Sequence, residues 1–539
     1  MNQDVTAKPD PVDQANQPVP AYSWYALGVL VIVYVLNFID RQILSILAND
    51  IKADLGVDDA YLGFLYGTAF AIFYALFGIP LGKLADSWKR VRLMTLGLAV
   101  WSAMTAASGF ARDAGTLTVA RIGVGVGEAT ASPSAYSLIS DWFPARLRAT
   151  ALAIYSSGLY IGGGVSLALG GLVVDNWNAA YPDGGPLNLA GWQAAFIVVG
   201  LPGLLLAIWV FSLREPVRGA MDGLPTPGDP HPFRSFVREL YTVIPPFTFV
   251  GAAMRGGRAL ILNIVVLLLA FLVAYSLTEV LQSGGGLIIP WITDQWTLLA
   301  VGYYAVFCWA SALRQRDYPT FALTWGSPAF LCTILGYGTV AFMAYSASYW
   351  GAPYAERVFD VSKGELGFWL GGGGAAGGFL GVILGGRMAD YLFTRTSAGR
   401  IWVILFGLLS PIPFAVVQYT TDSFTLFIIL NVVVGALAAS ALGAAAASSQ
   451  ALVLPRMRGV ATATFFLATT LVGLALGPYT AGYVSAQNDG NLSIGVLSTL
   501  WITPFGLGLL IAAIRLVPKA NATVLDRAIL AGEPSGPTG

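Results

Sequence analysis

Long apolar segments alternate with short polar ones along most of the chain. Fourteen of the segments approach the length that crosses a bilayer as a helix. They lie at 24–47, 60–84, 93–110, 117–139, 149–173, 190–213, 259–281, 296–313, 321–349, 364–388, 401–419, 424–451, 460–484 and 494–514. The pattern predicts an all-α polytopic membrane protein.

The composition removes several other classes of protein. Of the 539 residues only 11% are charged and 56% are hydrophobic, whereas a soluble domain has about 25% charged residues. The net charge is zero, so no basic surface for nucleic acid is expected. With His231 as the only histidine and no nucleotide-binding loop of the form GxxxxGK[ST], we predict no metal, no cofactor and no enzyme activity.

The basic residues predict the orientation in the membrane. If the N-terminus is cytoplasmic, 23 of the 29 Lys and Arg lie on the inner side. The outer side then carries only Lys52, Arg112, Arg357 and Lys363. This positive-inside pattern predicts a multi-pass protein of the plasma (inner) membrane with both termini in the cytoplasm.

An internal repeat divides the chain into two halves. Residues 57–86 align without a gap on 361–390 with 11 identities in 30 positions. Two duplicated six-helix halves, with two helices inserted between them, account for all fourteen segments. The predicted divisions are a tail at 1–23, a first half at 24–218, a linker with the inserted pair at 219–320, a second half at 321–516 and a tail at 517–539.

Two motifs resemble those of the major facilitator superfamily. The loop after the second segment reads Gly82-Lys-Leu-Ala-Asp86, and the fourth segment contains Arg121-Ile-Gly-Val-Gly-Val-Gly-Glu-Ala129. A narrower resemblance is to the Spinster group of lysolipid and sphingosine-phosphate transporters. It is carried by Asn37-Phe-Ile-Asp-Arg41, by Gly127-Glu-Ala129 and by Tyr155-Ser-Ser-Gly158. The resemblance implies the major facilitator fold and transport by alternating access.

Four charged side chains lie inside the predicted core helices. Asp40 and Arg41 are in the first helix, and Arg121 and Glu128 are in the fourth. A charge at such a depth costs roughly 2.5–3.5 kcal/mol on insertion scales and is functional by default. Arg121 and Glu128 are seven residues apart and share one helix face with Ser132.

We expect these charges to couple transport to protons. Burial favours a neutral carboxyl group and a nearby guanidinium favours the carboxylate, so movable Arg41 and Arg121 would make Asp40 and Glu128 gain and lose protons. A static salt bridge, or substrate binding without coupling, is the alternative. A guanidinium also holds phosphate, and the predicted substrate site comprises Arg41, Arg121, Asn37, Glu128 and Ser132.

Two repeated acidic residues are expected to act in gating. By family resemblance, Asp86 would accept hydrogen bonds from the helix that starts near Val460, after Arg458. Asp390 would do the same near Arg148 in the other half. The alternative is that both are solvated loop charges.

Together these features predict a monomeric secondary transporter for a small amphipathic substrate, with protons and membrane lipids as its other partners. A fourteen-helix drug–proton antiporter is the alternative in the same class, although Gly162-Gly-Gly164 lacks the glycine–proline motif expected in its fifth helix. A lipid scramblase or a receptor without coupled transport is the alternative from other classes.

Overall fold

The computed structural model describes residues 19–182, 184–219, 221, 229–281 and 294–534. Within these ranges every regular element is a helix. Thirteen helices are long and apolar enough to cross a membrane, which confirms the all-α polytopic class. The parts of the two predicted tails at 1–18 and 535–539 lie outside the described residues.

The helices of the first half are α1 to α7 in chain order. They span Ala21–Leu55 (α1), Asp59–Ser87 (α2), Arg90–Ser108 (α3), Ala114–Glu128 (α4), Ala131–Trp142 (α5), Ala145–Ala180 (α6) and Gly191–Phe211 (α7).

The linker and the second half contain α8 to α17. They span Pro232–Val243 (α8), Phe247–Met254 (α9), Gly257–Leu281 (α10), Gln295–Arg316 (α11), Pro328–Val358 (α12), Lys363–Arg395 (α13), Gly399–Gln418 (α14), Phe424–Ala451 (α15), Pro455–Ala486 (α16) and Leu492–Ala522 (α17). Short helices at Tyr318–Leu323 and Val524–Leu530 flank the second half.

The fourth predicted segment is divided into two helices, which is why thirteen long helices are found where fourteen segments were predicted. The helix α4 ends at Glu128 and α5 begins at Ala131. Pro133 has no N–H to donate to the carbonyl of Ala129, so one helical hydrogen bond is lost at the break. The break places Glu128 at a helix end in the middle of the bundle.

Two close helix pairs join the halves. On one side α6 packs on α13, where a Cβ on Gly371 would lie 2.2 Å from the carbonyl oxygen of Gly164. On the other side α2 packs on α16, where a Cβ on Gly63 would lie 2.4 Å from the carbonyl oxygen of Pro478. Only glycine permits such approach of two backbones, so these positions fix the seam between the halves.

The inserted helix α11 lies against both halves at the seam of α2 and α16. A Cβ on Gly302 would lie 2.5 Å from the side chain of Ile72 in α2. The hydroxyl of Tyr303 donates to the carbonyl of Leu471 in α16 at 3.3 Å. This carbonyl belongs to a π-helical segment, Thr469–Leu474, within α16.

Candidate functional site

A buried ion pair lies where α1 meets the end of α4. Arg41 Nη2 is 2.7 Å from Glu128 Oε2, and the two residues are 9% and 1% exposed. The rings of Phe38, Phe70 and Tyr74 surround the guanidinium, with centroids 4.5 to 5.1 Å from its central carbon. Aromatic faces attract a cation, so Arg41 is stabilised by these rings as well as by Glu128.

Arg121 lies close by and forms no ion pair with a carboxylate among the described residues. It is fully buried, and its Nη1 donates to the backbone carbonyl of Asp40 at 3.1 Å. Its Nε and Nη2 have no hydrogen-bond partner among the described residues. A buried guanidinium with two unused donors can accept an additional anionic group.

The Asp40 side chain faces α3 and also lies within electrostatic reach of Glu128 and Arg121. It is 1% exposed, and its carboxyl group lies beside Trp101 and Thr105. In the described part of the chain it forms no ion pair, and its Oδ1 has no hydrogen-bond partner. Of the two acidic residues in this cluster, Glu128 is therefore neutralised by an arginine, and Asp40 is buried without an ion pair among the described residues.

Asn37 and Ser132 were both predicted to bind substrate, and the structure places them differently. Asn37 lies beside Glu128, one turn before Arg41, and both Asn37 Nδ2 and Glu128 Oε1 are buried without a partner in the described residues. Ser132 follows the helix break and lies next to the hydroxyl of Tyr155. Asn37 therefore belongs to the charged cluster, and Ser132 lies beside a separate aromatic group.

Sequence reasoning missed Gln42, which ties this cluster to the second half. Its Nε2 donates to the carbonyl of Ser348 at 3.0 Å, and its Oε1 accepts from the hydroxyl of Tyr66 at 2.9 Å. The ring of Tyr66 stacks on Tyr349 with centroids 4.2 Å apart. The signal was present as a third polar residue after Asp40 and Arg41 in an apolar helix.

Charged residues also join the halves at the end of the bundle that holds Leu55. Asp59 accepts from Lys52 at 2.8 Å and from Arg357 of the second half at 2.7 Å. Lys363 pairs with Asp50 of the first half at 2.6 Å and with Glu356 at 2.7 Å. We call this group the end lock; it comprises Asp50, Lys52, Asp59, Glu356, Arg357 and Lys363.

Among the described residues no hydrogen bond or ion pair joins Asp86 to the start of α16, so the predicted contact stays a prediction. The charges around Asp86 are those of Lys83, Arg218 and Arg90. Arg218 also donates to the backbone carbonyls of Ala85 and Trp88. The halves are joined by charge at the opposite end of the bundle, so Asp86 keeps neighbours from the first half and its linker.

The basic residues before α16 likewise have other partners. Arg456 binds Asp317 at 2.9 Å and also binds Glu533 near the C-terminus. Arg458 and Asp390 are exposed to solvent or lipid. Arg148 donates to the carbonyl of Ser140 at 2.9 Å. The predicted gating contacts of Arg458, Asp390 and Arg148 stay predictions.

Comparisons with known proteins agree with this architecture. A sequence model described as Major Facilitator Superfamily matches residues 30–358. An MFS-type efflux pump of Mycolicibacterium smegmatis is 25% identical over 505 residues, which are 94% of this chain and 93% of that protein. Protein spinster of Drosophila melanogaster is 27% identical over 200 residues, which are 37% of this chain and 31% of that protein.

A solved structure is similar over nearly the whole chain. It is a bacterial homolog of the human lysosomal transporter Spinster in an inward-facing and unoccupied conformation. The two structures superpose with a TM-score of 0.65 at 25% identity, covering 95% of this chain and 99% of the other.

Proposed function

The chain belongs to the major facilitator superfamily, and we propose that it moves an amphipathic, lipid-like substrate by alternating access coupled to protons. It is a secondary transporter with a bacterial Spinster homologue among its structural neighbours, which confirms the predicted resemblance. The substrate class and the coupling are the proposed parts.

The observation that carries the proposal is the unequal pairing of the four buried charges. Arg41 neutralises Glu128, whereas Asp40 has no cation in contact and Arg121 uses only a backbone carbonyl. An unpaired carboxyl group in a low-dielectric interior favours its protonated form. We infer that Asp40 holds a proton in this conformation and that Glu128 gains one when Arg41 leaves it.

The free donors of Arg121 suit the head group of an anionic substrate. A phosphate that binds Arg121 would also lie near Arg41 and compete with Glu128 for it, because a guanidinium binds phosphate as well as carboxylate. Glu128 would then take up a proton, which links substrate binding to proton binding. Asn37 would bind the same head group through its Nδ2, which has no hydrogen-bond partner among the described residues.

An apolar chain of the substrate would lie against the second half. Phe465 is buried and stacks on Tyr337 with centroids 5.3 Å apart, so this ring serves packing. Phe466 is 47% exposed and is the better candidate for the wall that meets an acyl chain. The combination of a cationic head site and an apolar wall supports an amphipathic substrate.

A binding measurement tests the substrate class. Lysophosphatidylethanolamine and sphingosine phosphate should raise the melting temperature of the purified chain, and Arg121→Ala should remove most of this rise. Arg112→Ala, which changes a basic residue outside the cluster, serves as the control. Equal stabilisation of the Arg121→Ala variant would contradict the proposed head-group site.

Efflux of drug-like amphiphiles is the second candidate, because the efflux pump of Mycolicibacterium smegmatis matches 94% of this chain. A drug without a phosphate would use the apolar wall and the aromatic rings around Arg41 and would not depend on Arg121. Stabilisation by cationic drugs alone, retained in Arg121→Ala, would favour this function over lipid transport.

A further inference from the structure

A second arginine without a hydrogen-bond partner among the described residues lies just before α10, the first helix of the inserted pair. Arg255 occupies the turn between α9 and α10, and its Nε and Nη2 are enclosed by protein without any hydrogen-bond partner in the described residues. Its Nη1 alone reaches the surface. A cation held in this manner is destabilised unless an anion compensates it.

The chain itself supplies no such anion among the described residues. The ionisable side chains that act on the guanidinium are those of Tyr304 and Cys308, which are not acidic. These two are engaged with Asn263, which accepts from the Cys308 thiol at 2.8 Å and from the Tyr304 hydroxyl at 3.4 Å. Glu239, an acidic residue of the same linker, is paired with Arg316 at 2.6 Å.

The start of α10 offers further groups for an anion next to Arg255. This helix of 25 residues begins at Gly257, and its first backbone N–H groups and its dipole favour negative charge. No atom lies within 4 Å of a Cβ placed on Gly256 or Gly257, so the turn is open to a ligand. Arg258, in the first turn, is exposed and has no acidic partner in the described chain.

The surroundings of this turn match a lipid. Phe247 and Met254 of α9 are 45% and 75% exposed. In the most apolar stretch of α10, only 11% of the residues are buried. Exposed side chains continue up α10 from Ile261 to Leu268. The surface therefore offers an apolar wall directly above two uncompensated arginines, at the side of the bundle predicted to face the anionic inner leaflet.

We propose that Arg255, Arg258 and the first turn of α10 bind the phosphate of an anionic phospholipid, whose acyl chains lie along α10. This site lies at the start of α10, outside the two halves, whereas the charged cluster lies on α1 and α4. It is therefore distinct from the proposed transport site. The inserted helix α11 lies against both α2 and α16. A lipid bound here would therefore hold the inserted pair, α10 and α11, against the contact between α2 and α16.

Native mass spectrometry of the purified full chain with palmitoyl-oleoyl phosphatidylglycerol tests the proposal. We expect Arg255→Gln to weaken binding at least about tenfold, since a charge-assisted hydrogen bond and a counter-ion are lost. Phosphatidylcholine with the same chains should bind the wild type more weakly, and Arg255→Lys should retain part of the preference. Arg234→Gln, which removes an exposed charge from the same linker, is the matched control and should bind as the wild type does.

Three outcomes would overturn the site. Equal losses in Arg255→Gln and Arg234→Gln would mean nonspecific attraction to a basic segment. Equally strong binding of inorganic phosphate and of the lipid to the wild type would mean that the site binds a free anion instead of a lipid. A lower melting temperature of Arg255→Gln in lipid-free detergent would mean that the chain itself supplies the missing partner, because removal of an uncompensated charge should not destabilise the lipid-free protein.

Discussion

The two halves share one fold, but their fourth helices differ in charge and in continuity. In the first half this helix is broken between α4 and α5 and carries Arg121 and Glu128. In the second half α15 runs unbroken from Phe424 to Ala451 and contains no charged residue. Asn431 stands where Arg121 stands in the first half, and its amide oxygen accepts from Gln418 at 3.5 Å. The fourth helix of the first half therefore carries buried charges, and its counterpart in the second half is uncharged.

The largest difference between the halves in the effect of a substitution on stability should be found at the buried ion pair of Arg41 and Glu128. Arg41→Ala removes the buried partner of Glu128 and should lower the free energy of unfolding by about 3–5 kcal/mol, because the acidic side chain then stays buried without compensation. Asn431→Ala, in the second half, should cost only about 1 kcal/mol. Thermal unfolding in detergent measures both, and the double variant Arg41→Ala/Glu128→Gln should recover part of the loss. Equal losses at the two positions would contradict the comparison.

Pro133→Ala should make the first half resemble the second. Proline disfavours a continuous helix by about 3 kcal/mol relative to alanine, so the variant should have a higher melting temperature as α4 and α5 join. Transport should fall, because a continuous helix would move the Glu128 side chain away from Arg41. Pro328→Ala in α12 is the control, since that proline stands at the start of a helix. A variant that transports at the wild-type rate would show that the break is not needed.

The end lock contains ion pairs that join the two halves, so its closure requires residues of both. Asp59→Asn removes the anion that Lys52 and Arg357 share, and should shift the population towards opening at this end by about 1–3 kcal/mol, or about 5–150-fold. The rate of thiol labelling at Ser45→Cys, in a chain with Cys308 and Cys332 replaced by serine, reports the opening. Asp58→Asn preserves the helix cap at Tyr61 and should leave the rate unchanged. No change in Asp59→Asn would exclude the lock as a gate.

The smallest effect should come from Asp317, at the other end of the bundle. Burial raises its pKa, but hydrogen bonds from Arg456 and Thr320 outweigh burial and hold the pKa below the usual range. The contact therefore stabilises the fold above the ordinary aspartate pKa and loses this effect as the pH falls through the lowered value. The contribution should be less than about 1 kcal/mol because the pair is largely exposed. Melting temperatures of the wild type and Asp317→Asn should converge in acid, and a constant difference would contradict this sign.

The sequence was sufficient for the fold class and for the position of the buried charges. Apolar length predicted the spans, and the repeat ending in Asp86 and Asp390 predicted the duplication. The break before Pro133 was not predicted, because the segment 117–139 was assigned by its apolar length, which does not locate a helix end inside the segment. The residues alone showed that Arg121 and Glu128 share a helix face, but not that Arg41 is the arginine that binds Glu128.

Contacts between the halves could not be predicted, since their partners are about three hundred residues apart in the chain. Asp59 and Arg357 are such a pair, and Gln42 and Ser348 are another. Asp86 illustrates the same limit in a different manner. Its expected partner at the start of α16 followed from family resemblance, and the spacing of residues alone carries no information on that contact.

The central claim is that Glu128 carries a coupled proton. Uptake of labelled lysophosphatidylethanolamine into proteoliposomes, measured against external pH at a fixed membrane potential, tests it most directly. The wild type should show a rate that changes with pH, and Glu128→Gln should transport at a rate independent of pH, with Glu365→Gln at the surface retaining the wild-type profile. An unchanged pH profile in Glu128→Gln would contradict the account.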